Sequence, residues 1–201
     1  MVNPTSTLRR AKRAGRRARR HETVLHSRFA IFAESLLTGV WLAVAALPLV
    51  TLLPAFAAGC AHLRRHLESR PCGWREFAAD VREAARSGWR FSLLWWAVIA
   101  LLVFDWRVAR SGLLPGGPLL VAVAALGLPA VTVAGLRTAA AWRPGRPWQL
   151  VRTLDLGGSL LLVGGFAAVA ASAWQIPPLA VPAVGCLAAA AVALERRAAL
   201  R

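Results

Sequence analysis

The stretch FAIFAESLLTGVWLAVAALPLVTLLPAFAAGCAHL, residues 29–63, decides the architecture of this chain. Its first thirty residues, 29–58, carry one charge, Glu34. A run of that length is far beyond the 18 or so apolar residues that read as a membrane span. As one helix it would extend about 45 Å, against a bilayer hydrocarbon core of about 30 Å. Pro48 and Pro54 offer places to break it. The question is therefore whether this stretch crosses a membrane once or twice.

The distribution of arginine answers it, because loops on the cytoplasmic side retain positive charge. Outside residues 29–63 the apolar runs are 91–104, 113–136 and 156–194, the last interrupted by Gln175, Pro177 and Pro178. Two crossings within 29–63 give six spans, at 29–47, 49–63, 90–106, 117–136, 156–174 and 178–194. Both termini are then cytoplasmic, and of 25 basic residues only Arg107 and Arg110 fall outside. A single crossing would leave the basic residues almost evenly divided. The expectation is an all-α polytopic membrane helix bundle of about six spans. Its second span, 49–63, is short at about 22 Å, so it either enters the bilayer without crossing or thins it locally.

Composition agrees. The chain has 201 residues, 57% hydrophobic and 17% charged, yet a formal net charge of +16. The positive mean hydropathy of +0.52 excludes a disordered basic protein. Residues 1–28 hold nine of the basic residues and read as a cytoplasmic tail, with 29–201 forming one membrane domain. The tail resembles the basic start of a signal peptide, but the apolar run behind it is about twice a signal core, so no cleavage is expected. Its Arg9 to Arg20 segment fits anionic lipid headgroups. Nucleic acid fits less well, because no aromatic residue lies among these arginines to stack a base. Tryptophan, which prefers the membrane interface, brackets the third span at Trp89 and Trp106 and ends the fifth at Trp174. Trp41, Trp95 and Trp96 lie mid-span and read as packing.

Candidate chemistry is sparse. Cys60, His62, His66 and Cys72 are close in sequence, but helical spacing points Cys60 away from the histidine pair and Cys72 follows a proline, so no metal site is expected. Glu34 and Asp105 are the two intramembrane charges and hence functional suspects by cost of burial, although each lies near a span end. No GxSxG motif, carboxylate pair or phosphate loop accompanies the serines of the spans, so no enzymatic activity, catalytic residue or cofactor is expected. Gly164, Ala168 and Ser172 recur at four-residue spacing and form a small-residue stripe suited to close helix packing. Trp74, Phe77 and Val81 line the apolar face of an amphipathic helix near 74–87, expected to lie in the interface as a tether or to dock a partner.

The order of features resembles the YesL-like bacterial membrane proteins. The resemblance rests on Leu47-Pro48-Leu49-Val50-Thr51-Leu52-Leu53-Pro54-Ala55, on His62-Leu63-Arg64-Arg65, and on the aromatic-bearing helix at Trp74-Arg75-Glu76-Phe77. Ala140-Ala141-Trp142-Arg143-Pro144-Gly145 and the segment from Trp174 to Pro182 resemble high-GC actinobacterial members. The family has no established activity, so no site residue is carried over. Its association with carbohydrate uptake systems implies a multi-pass inner-membrane protein acting beside sugar ABC transporter permeases. The expected function is a non-enzymatic accessory of such a complex, and the alternative is a small transporter or channel in its own right.

Overall fold

A computed structural model of the chain describes residues 33–68, 70–111, 117–149 and 156–199. The chain divides into two compact units, Met1–Glu34 and Ser35–Arg201. The Arg-rich tail lies outside the described residues, and apart from the first two residues of α1 the helices belong to the second unit. The described structure is all-α, with six helices: α1 Ala33–Ala45, then α2 Leu52–Leu67, α3 Trp74–Arg110, α4 Gly117–Ala141, α5 Leu156–Gln175 and α6 Pro177–Ala199. Four of them, α3 to α6, are long and apolar enough to cross a membrane. Only 11% of the apolar window in α3 and in α5, and 28% in α4 and in α6, is buried within the chain. Leu94, Phe104, Leu119, Leu126, Leu160 and Trp174 all point outward. An apolar exterior on this scale calls for hydrocarbon rather than water around it.

The second expected span behaves differently. A 3-10 turn, Leu49–Thr51, leads into α2, whose 16 residues reach about 24 Å. Pro48 precedes the turn and Pro54 sits in the first turn of α2, where its missing N–H costs no helical bond. From Leu53 to Arg64 every residue is buried, as a helix apolar on all sides should be. It packs against α3, α4 and α6, and its Ala55, Ala57, Ala58, Gly59 and Ala61 keep it thin enough for those neighbours to close around it. Its shortness thus needs no thinning of the bilayer, because protein rather than lipid surrounds it. Thr51 Oγ1 donates to the carbonyls of Ala45 and Pro48, each at 2.6 Å, and Trp96 Nε1 donates to Leu49 at 2.8 Å. These bonds fix the corner between α1 and α2.

The expected interfacial helix at 74–87 and the third span form one continuous helix of 37 residues. At about 55 Å, α3 exceeds the hydrocarbon thickness, so its N-terminal third projects beyond it. Gly88 does not interrupt it. A Cβ there would overlap the indole of Trp148, lying 2.7 Å from its Cζ2, so this glycine is a notch that admits a ring. Gly135 does the same on α4 for Trp95, which is buried and donates Nε1 to the Val131 carbonyl at 2.9 Å.

A tight helix crossing lies between α1 and α6. A Cβ on Gly185 would overlap the Ser35 carbonyl oxygen and sit 3.1 Å from Gly39 Cα. The expected stripe of Gly164, Ala168 and Ser172 instead faces out of the bundle. A Cβ on Gly164 would meet nothing within 4 Å, Ala168 is exposed, and the Ser172 hydroxyl bonds back to the Ala168 carbonyl at 2.7 Å. α5 packs on α6 at Gly165, where an added Cβ would lie 2.8 Å from Leu187 Cδ1. The turn between them falls at Ile176, just before Pro177.

Candidate functional site

Polar chemistry gathers at one end of α2. Arg64 and Arg65 occupy its last turn, and adjacent helical positions point about 100° apart. Arg64 turns toward α6 and the end of α4. It is nearly fully buried, donates Nη1 to the Trp142 carbonyl at 3.0 Å, and pairs Nη2 with Glu195 at 2.8 Å. Arg65 turns toward α3, where both terminal nitrogens bond Asp80, at 2.5 and 2.7 Å. Such two-pronged pairing matches the planar fork of guanidinium to carboxylate and fixes the side chain. The Asp80 bond also raises the Arg65 pKa above its already high ordinary value. The carbonyls that α2 leaves unmatched at its end accept from the amides of Glu68 and Arg70.

The segment after α4 roofs this end. Gly145 takes a positive φ of 77°, a conformation costly for other residues, and its amide donates to Glu83 at 2.6 Å. Trp148 enters the Gly88 notch, stacks on Phe91 with centroids 5.5 Å apart, and donates Nε1 to Ser87 at 3.1 Å. The segment 142–149 is thereby strapped to the projecting part of α3. Between strap and helix end lies a cavity of about 300 Å³ lined by Ala61, Arg64, Arg65, Glu68, Arg70, Arg143 and Pro144. A second, more open hollow of about 520 Å³ follows the outer face of α3 at Ala79, Arg82, Glu83, Arg86 and Ser87.

The residues expected to dock a partner differ in exposure. Phe77 is fully buried, its ring 5.6 Å from Trp41 and 6.2 Å from His62. Trp74 closes the same aromatic cluster, 5.8 Å from Trp41, and stays half exposed, while Val81 is partly buried. Of the three, Phe77 is therefore taken up by the chain's own aromatic cluster, while Trp74 keeps half of its surface open. Glu34, in the opening turn of α1, and Asp105, near the end of α3, are both partly buried. Asp105 lies close in sequence to a cation–π pair, with the Arg110 guanidinium 5.8 Å from the Trp106 ring. The four metal candidates are not gathered. Cys60 points at the Ala188 carbonyl of α6, His62 stands edge-on to Trp41 at 5.0 Å, and only His66 and Cys72 approach one another, at 3.8 Å.

Sequence reasoning missed the charged group itself. Its members Arg64, Arg65, Asp80, Arg143 and Glu195 read as ordinary loop and interface charges. A signal was available in Glu195, the only acidic residue from position 156 to the end. An acid isolated in so apolar a stretch needs a partner. No family model, no curated protein and no solved structure matches the chain.

Proposed function

We propose that this chain is a non-enzymatic accessory subunit of a membrane complex. The observation that carries the reading is the filled axis of the bundle. Twelve consecutive residues of α2, Leu53 to Arg64, are buried where a conduit would need space. A protein whose centre is a packed helix and whose outer helices present unbroken apolar faces is suited to standing beside other membrane helices. The outward Gly164, Ala168 and Ser172 stripe on α5 supports this, since small residues permit close approach by a neighbouring helix. With the arginine-bearing end of α2 on the cytoplasmic side, the protein would sit in the cell (inner) membrane. From the resemblance to YesL-like proteins, the partner we put forward is a carbohydrate ABC transporter permease.

Affinity purification of the full chain in mild detergent, with identification of what accompanies it, tests the reading. Stoichiometric recovery of a permease is expected, and repeated recovery of the chain alone would refute it. Proteoliposomes containing only this protein should show no solute flux. Sustained flux would favour the small-transporter reading instead.

A further inference from the structure

The arginine-lined cavity at the end of α2 has the makings of a ligand site that neither its packing nor the proposed accessory role requires. We propose that it binds a phosphate-bearing anion of small size, either the headgroup of an anionic phospholipid or a soluble phosphomonoester. Four of its seven lining residues are arginines and one is acidic. The arginines divide into a floor and a rim. Arg64 and Arg65 form the floor, each locked from behind by a carboxylate and, for Arg64, by a backbone carbonyl. A guanidinium carries five donors, and these bonds engage two on each, so donors remain to face the cavity. Because the floor is already immobile, a ligand loses little side-chain entropy in binding there.

The rim is the adjustable part. Arg70 is largely exposed and meets Glu68 at 3.4 Å, a solvent-screened pair of the kind that contributes little. Arg143 is exposed beside Pro144 on the strap. An anionic phosphate would draw Arg70 from Glu68 and Arg143 from solvent, completing contacts from four sides. Arginine is the side chain suited to that task, since its fork matches two phosphate oxygens at once. Carboxylates satisfy the two floor arginines in part, so the site retains positive charge without leaving an uncompensated buried cation. About 300 Å³ accommodates a headgroup or a small sugar phosphate. The cavity lies where α2 leaves the apolar core, and the strap gives it a roof.

The test uses the purified full chain in detergent with two probes, a short-chain phosphatidylglycerol and glycerol 3-phosphate, against phosphatidylcholine as the zwitterionic control. Native mass spectrometry reads the lipid and isothermal titration reads the soluble ester. Two variants of equal charge are compared: R70Q/R143Q, altering the exposed rim, and R82Q/R86Q, altering exposed arginines on the outer hollow of α3. The N-terminal arginines are the same in both, so diffuse attraction cancels. One saturable equivalent of at least one probe is expected, weakened on the order of tenfold or more in R70Q/R143Q and retained in R82Q/R86Q. Which probe saturates identifies the source of the phosphate. Equal weakening in both variants, no change in R70Q/R143Q, or no saturable binding of either probe would overturn the proposal.

Discussion

Replacing Gly185 with alanine drives a methyl group into the backbone of the neighbouring helix. The new Cβ would overlap the Ser35 carbonyl oxygen while lying 3.0 Å from the Ser35 carbonyl carbon and 3.1 Å from Gly39 Cα. Non-bonded carbons rest near 3.5 Å, so the carbon contacts alone demand about 0.5 Å of separation and the oxygen overlap demands more. Nothing flexible can yield, because each clashing atom is main chain within a helix. α1 and α6 must therefore part along their crossing, and the contacts on either side weaken with them. Overpacking of a well-packed interior costs about 1–3 kcal/mol, and the rigid surroundings place G185A at the upper end, about 3 kcal/mol. Unfolding by SDS in mixed micelles, followed by tryptophan fluorescence, measures it. G164A is the matched control. Its Cβ meets nothing within 4 Å, so it should be neutral or gain up to about 1 kcal/mol from helix propensity. Wild-type stability in G185A, or an equal loss in G164A, would refute the assignment of the α1–α6 crossing.

Two further substitutions probe the charged end. Glu195→Ala leaves Arg64 nearly buried with only the Trp142 carbonyl as partner. Breaking a fully buried pair costs about 3–5 kcal/mol; Glu195 is partly exposed, so about 2 kcal/mol is expected in the same unfolding assay. Trp148→Ala removes the stack on Phe91 and the bond to Ser87. It should free the strap, seen as faster proteinase K cleavage within 142–149 and a stability loss of about 2 kcal/mol, below the full-burial range for Trp→Ala. Unchanged cleavage would mean that Gly145 and Glu83 hold the strap without it.

Sustained apolar runs were legible, and interactions across long sequence separations were not. The expected spans at 90–106, 117–136, 156–174 and 178–194 each lie within, or within one residue of, α3 to α6, because length and apolarity alone bound a membrane-length helix. Pro177 marked the α5–α6 turn, while Pro129 and Pro182 lie inside helices. The continuity of α3 was hidden because the charges between 75 and 90 read as a separate interfacial helix, and the ring that fills the Gly88 notch, Trp148, lies sixty residues later. Spacing likewise did not tell the outward Gly164 from Gly39 and Gly185, which meet where α1 and α6 cross. A small residue serves close approach or faces lipid, and spacing does not distinguish them. Ser35 and Gly39, four apart on α1, carried an equivalent signal. The cavity was beyond reach for a related reason: Arg64 and Glu195 lie 131 residues apart, and their pairing exists only once α2 and α6 pack.

The most direct test of the account is the sidedness of the two ends of α3. In a background lacking Cys60, Cys72 and Cys186, single cysteines replace Arg82, on the projecting part of α3, and Ser111, just beyond its other end; both positions are exposed. A membrane-impermeant maleimide applied to intact cells should label Ser111→Cys at once and Arg82→Cys only after permeabilisation. That result means α3 crosses the bilayer once, with the arginine-lined end of the bundle in the cytoplasm. Labelling of both positions from the same side, or of Arg82→Cys alone in intact cells, would contradict it.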